Sequence, residues 1–130
     1  MNAKTSQIIR KPQKVSREIK IRWTPELVEE GFTPISTFFL DHYAQVGLTA
    51  QEFTLVAHLM RFKWDERHPF PSFEILATRT GCSYSAVRGH ARSLENKGLL
   101  RRVRRKDRVE FDLHPLFEKL EELRRELKAA

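Results

Sequence analysis

Between Ser72 and Leu113 the chain spells two capped helices across a glycine turn and then an alternating hairpin. That run restricts the fold more than any other feature. Ser72 sits where an N-cap belongs, and a helix is expected from there to about Thr80 with Ile75, Leu76 and Ala77 inward. Gly81 and Cys82 turn the chain. Ser83 caps a second helix that reaches Lys97, and Gly98 ends it. Leu99 to Arg104 and Arg108 to Leu113 read as two strands around a turn near Lys106 and Asp107. Val109, Phe111 and Leu113 alternate with polar residues, which gives the hairpin one expected buried face.

A helix, a tight turn, a second helix and a hairpin form the layout of a winged helix-turn-helix, a mainly α fold with a small β-hairpin wing. In the second helix Val87, Ala91 and Leu94 fall at i, i+4 and i+7 and make the inward face. Tyr84, Ser85, Arg88, Gly89 and Arg92 fall on the other side. Arg88 and Arg92 lie one turn apart, with the reach and hydrogen-bonding fork to meet guanine edges or phosphates in a major groove. Ser83, Tyr84 and Ser85 stand at the helix N-terminus, where hydroxyls and free backbone N–H groups suit a phosphate. An ordinary solvated face would carry the same arginines; the motif around them favours DNA. The hairpin places Arg101, Arg102, Arg104, Arg105, Lys106 and Arg108 within eight positions. Phosphate or a minor groove is the natural counter-charge for such a tip. Protection of an exposed strand edge accounts for one or two cations more readily than for six.

Charge along the chain agrees with this placement. Residues 86–108 hold nine basic side chains against two acids, and residues 1–22 hold seven against one, whereas the stretch between them is acidic. The net charge of +7 therefore comes from two basic blocks, one of which coincides with the folded motif.

Upstream, residues 1–17 read as a disordered basic arm. Ile19, Ile21 and Trp23 alternate with Lys20 and Arg22, so a short strand is expected there, suited to pairing with a partner chain. Thr24 and Pro25 start a short helical turn that Gly31 ends. A helix follows from about Ser36 to Val46, stopped by Gly47. Thr49 and Glu52 form a capping box for a further helix running to about Lys63. Its apolar residues cover most of its surface, so it belongs at the centre of the core. Pro115 opens a last helix with Leu116, Leu120, Leu123 and Leu127 spaced 4, 3, 4. The expected organisation is an arm over 1–22, a winged helix-turn-helix over 23–113 and an amphipathic helix over 114–130. That last stripe serves either as a dimer seam or as packing on its own domain; a homodimer is expected.

Other functions find little support in the residues. No apolar run approaches the roughly 20 residues that span a bilayer, and the N-terminus does not read as a signal peptide. There is no glycine-rich phosphate loop, no GxSxG turn and no catalytic constellation, so an enzyme is not expected. His42, His58, His68, His90 and His114 are scattered, no pair has the helical i, i+4 spacing of a zinc site, and Cys82 has no CxxC companion. No metal, cofactor or small-molecule effector is expected. Cys82 stands before the second helix, where oxidation would tilt it, but a small buried residue is the simpler reading. A cytoplasmic setting is the simplest one.

Several of these residues also carry a family likeness. Leu76-Ala77, Gly81-Cys82-Ser83, Ala86-Val87-Arg88 and the closing run Leu94 to Leu100 resemble the winged-helix domains of bacterial regulators and replication initiators. Gly31 to Ile35 and Pro69-Phe70-Pro71-Ser72 resemble the N-terminal domain of DnaD-type primosomal proteins and of plasmid and phage replication initiators. The likeness covers roughly residues 31–113 and implies a role in replication initiation or transcription regulation, with possible self-association. The rival expectation is a winged helix used for protein interaction and assembly, in which the last helix and the apolar segment Ile19–Trp23 would matter and the basic hairpin would be incidental.

Overall fold

A computed structural model describes residues 17–130 of the chain. The expected basic arm falls almost wholly outside the described residues. The chain divides into two compact units, with the boundary between Thr33 and Pro34.

The described part of the first unit holds two short helices, α1 (Arg17–Arg22) and α2 (Pro25–Glu29). The strand expected at Ile19–Trp23 is therefore helical instead. The Trp23 amide donates to the Ile19 carbonyl at 3.1 Å, closing a helical turn. Five alternating residues fit either period, and a helix satisfies its backbone groups locally, whereas a strand needs a neighbour. Thr24 caps α2 as expected, accepting from the Leu27 amide at 3.2 Å.

The second unit runs through α3 (Thr37–His42), α4 (Ala50–Arg61), α5 (Phe73–Thr80), α6 (Tyr84–Asn96), β1 (Arg101–Arg104), β2 (Val109–Asp112) and α7 (His114–Ala129). It is mainly helical with one two-stranded antiparallel hairpin. Serine or threonine caps fix four of its helix starts, at Ser36, Thr49, Ser72 and Ser83. At Thr49 the full capping box forms: the Glu52 amide donates to Thr49 Oγ1 at 3.1 Å, and the Thr49 amide donates to Glu52 Oε1 at 2.8 Å. The α3 helix is shorter than its apolar pattern suggests, because Gly47 at φ 109° unwinds the chain and the last turns close irregularly.

The core lies between α4, α5, α6 and the hairpin. Leu55, Val56 and Leu59 of α4, Leu76 of α5, Val87, Ala91 and Leu94 of α6, Phe111 of β2 and Leu116 of α7 are almost completely buried. Each large aliphatic side chain sealed in this way contributes about 1.5–3 kcal/mol. Of the three residues expected inward on α5, Leu76 is fully buried, Ala77 is half-buried and Ile75 is exposed. At 100° per residue three consecutive side chains cannot share one face. The leucine stripe of α7 begins as core packing, since Leu116 is buried and Leu120 packs against the cluster, and ends at exposed Leu127.

One ion pair ties α4 to the end of α6. Glu52 is buried, and its Oε1 takes a 2.6 Å bond from Lys97 Nζ, which also donates to the Gly47 carbonyl at 2.8 Å. Burial opposes ionisation of Glu52, but the hydrogen bonds from Lys97, Ser93 and the Thr49 backbone outweigh it and lower its pKa. Lys97→Ala leaves a buried carboxylate without its cation. Because Lys97 is partly solvated, water replaces some of the loss and a cost of about 2 kcal/mol is expected in urea denaturation. A carboxylate with a depressed folded pKa stabilises the fold above its unfolded pKa and loses that contribution as pH falls through the folded one. Stability is therefore expected to decline below about pH 4.5, and less steeply in Lys97→Ala.

Candidate nucleic-acid interface

The outward face of α6 is built by the same spacing that builds its inward face. With Val87, Ala91 and Leu94 locked in the core, Ser85, Arg88, Gly89 and Arg92 point to solvent. Neither Arg88 nor Arg92 has an acidic partner among the described residues. The Arg88 guanidinium instead lies 5.9 Å from the centre of the Tyr84 ring, which is itself half exposed and packs edge-on to Phe73. A Cβ at Gly89 would meet nothing within 4 Å. The backbone there is open to close approach between the two arginines. Gly81 supplies the turn that aims α6: it caps α5 at φ 70°, a left-handed conformation that glycine adopts without strain. Ser83 spends its hydroxyl oxygen as the cap of α6, accepting from the Ala86 amide at 3.0 Å.

The hairpin divides its six cations unequally. Register pairs Arg101 with Asp112, Arg102 with Phe111, Val103 with Glu110 and Arg104 with Val109. Arg102 therefore shares the inward face with Phe111. Its stem is buried, its guanidinium lies 5.8 Å from the Phe73 ring centre, and Nη2 reaches Glu95 of α6 at 2.5 Å. That hydrogen bond is the main reason the Glu95 pKa is lowered. Arg102 is a strut between hairpin and helix, its side chain only 12% exposed. Arg101 is tied to Asp112 at 2.8 Å yet stays 72% exposed, so its other edge remains accessible. Arg105 and Arg108 flank the turn, closed by the Arg105 amide donating to the Arg108 carbonyl at 2.8 Å. Both engage Glu110, Arg108 closely at 2.8 Å and Arg105 loosely at 3.3 Å, and together they hold the Glu110 pKa down. Arg108 also covers the exposed Phe70 ring at 4.2 Å. Arg104 and Lys106 are exposed and form no close ion pair among the described residues, although the Arg104 charge is near enough to help lower the Glu95 pKa.

The hairpin was expected to bury one face, and it buries more. Glu110 and Asp112 are only 7% and 4% exposed. The loop before α5 runs along the outer edge of β2, where the Phe111 amide donates to the Pro69 carbonyl at 2.9 Å. Asp112 is paired with Arg101, and Glu110 with Arg105 and Arg108, all arginines of the hairpin itself.

The same loop gathers a cluster that spacing rules could not find. His68 from the loop, Asp112 at the end of β2 and His114 at the start of α7 place their ligand atoms within 4.8 Å of one another. Cys82 is half-buried, with Sγ 3.8 Å from the Thr80 carbonyl. No helix among the described residues is long and apolar enough to cross a membrane.

Residues 35–129 match the model of the DnaD N-terminal domain family. Among solved structures, the chain is similar to the N-terminal domain of the DnaD protein from Geobacillus kaustophilus HTA426, with a TM-score of 0.63 and 25% identity. That match covers 88% of this chain and 96% of the other. No curated protein sequence matches it.

Proposed function

The chain belongs to the DnaD N-terminal domain family, and on that footing we propose that it is a non-catalytic, double-stranded DNA-binding winged-helix module acting in replication initiation in the cytoplasm. The single observation that carries this reading is the outward face of α6, where Arg88 and Arg92 stand exposed and without acidic partners beside an open glycine. In this reading α6 enters the major groove, with Arg88 and Arg92 on base edges and Tyr84 and Ser85 near the backbone. Arg104 and Lys106, exposed at the hairpin tip, contact phosphate. Arg101, Arg105 and Arg108 add charge from partly solvated ion pairs, and Arg102 supports the hairpin from within. Family membership favours a replication assembly over transcription regulation.

Anisotropy titration of a labelled duplex at several salt concentrations tests it. Log affinity falls linearly with log salt, at about −0.9 per phosphate neutralised. Replacing Arg104 and Lys106 by alanine is expected to weaken binding to all duplexes alike and to make that slope shallower by about two contacts. A flat salt response would remove DNA from the account.

A second reading has its own observation. An apolar groove of about 260 Å³ lies between α3 and α7, lined by Ile35, Phe38, Met60, Phe117 and Leu120 among others, and the α7 leucine stripe continues to exposed Leu127. This face suits self-association as a homodimer, with DNA contact secondary. Sedimentation equilibrium of wild type and Leu127→Glu separates the readings: concentration-dependent mass lost in the variant supports assembly through α7.

A further inference from the structure

We propose that His68, Asp112 and His114 form a binding site for a divalent first-row transition metal of the zinc type, at the base of the hairpin. The three residues come from a loop, a strand end and a helix start, and folding brings His68 to the neighbouring pair Asp112 and His114. Asp112 Oδ1 is hydrogen-bonded to His114 Nδ1 at 2.9 Å, a bond that an ion held by both atoms would replace, and lies 3.8 Å from His68 Nδ1; the two imidazoles meet edge-on at 5.9 Å between ring centres. Zinc bonds to nitrogen and oxygen of about 2.0–2.2 Å span ligand atoms at such separations after small side-chain adjustments.

The surroundings divide the labour of the carboxylate. Arg101 holds Oδ2 through two N–H groups at 2.8 and 3.3 Å. The His114 backbone amide donates to Oδ1 at 2.9 Å and fixes its direction. The carboxylate is thus held in place from both of its oxygens. His68 is anchored by its neighbour, since the Pro69 carbonyl takes the Phe111 amide. The supporting frame thus exists before any ion arrives. His114 is 56% exposed, which leaves an entry path and room for water as a fourth ligand. Two imidazoles and one carboxylate select zinc, nickel or cobalt over magnesium and calcium, which prefer all-oxygen shells. Both rings bind as neutral imidazoles with the remaining proton on the other nitrogen. The bound ion would pin the loop before α5 to the hairpin base and to α7.

The test uses the full chain without an affinity tag, stripped with chelator. Zinc is titrated calorimetrically, and cobalt(II) is followed by its visible ligand-field absorption. One zinc per chain is expected, with a rise in melting temperature that magnesium does not give. His68→Gln and His114→Gln are each expected to weaken zinc by at least about tenfold and to abolish the cobalt spectrum, with unchanged circular dichroism. His42→Gln, on α3, is expected to bind as wild type. Absence of saturable zinc binding in the wild type, or affinity unchanged in both His68→Gln and His114→Gln, overturns the proposal; equal response to magnesium does the same.

Discussion

Replacing Arg88 and Arg92 together by alanine is expected to abolish preference for a cognate duplex while leaving the fold intact. Both side chains are exposed and project from α6 opposite buried Val87, Ala91 and Leu94, so their removal opens no cavity. Surface changes of this kind alter stability by no more than about 0.5 kcal/mol. A bidentate arginine contact to guanine is worth about 1–3 kcal/mol of discrimination. Loss of both lowers specific affinity by roughly one to four orders of magnitude, and residual binding falls to the level of random duplex. The cognate sequence is obtained by selection from a random duplex pool with the wild-type chain. Equal affinity of wild type and double variant for the selected duplex would exclude this face as the reader.

The second large effect concerns the hairpin. Phe111 is completely buried and meets Phe73 edge-to-face at 5.7 Å. It is the one aromatic of β2, and its amide also holds the Pro69 loop. Phe111→Ala is expected to cost about 3–5 kcal/mol, a large share of the roughly 5–15 kcal/mol that stabilises a domain. Urea denaturation should show a lowered midpoint with the slope preserved. A loss below about 1 kcal/mol would mean that the hairpin is not fastened to the core through this ring. Under the proposed function, fastening matters because Arg104 and Lys106 would meet phosphate beside α6 only if β2 stays seated.

These effects also mark what the residues disclose unaided. Helix starts were legible because caps are local: Thr49 with Glu52, Ser72 and Ser83 each bond to an amide three residues on. The two faces of α6 were legible because a long periodic helix fixes side-chain direction. Arg102 was not, since its inward aim follows from cross-strand register with Phe111 and from a partner, Glu95, on another element. A run of six cations looks uniform in sequence; register sorts it into a buried strut, paired flanks and an exposed tip. The burial of Glu110 and Asp112 was hidden for a similar reason, since a loop with no strand pattern covers the edge of β2. The same loop brings His68 to Asp112 and His114, a convergence that no spacing along one helix encodes. At Ile19–Trp23 the pattern was too short to choose a period, and local hydrogen bonding decided it.

Amide chemical-shift mapping of the isotope-labelled chain during titration with the selected duplex tests the central claim most directly. Shifts concentrated at Tyr84, Ser85, Arg88, Gly89 and Arg92 and at Arg104 to Lys106, with the Leu116–Arg124 segment silent, are the predicted result. Perturbations gathered instead on the groove between α3 and α7, with the outward side of α6 unmoved, would contradict it.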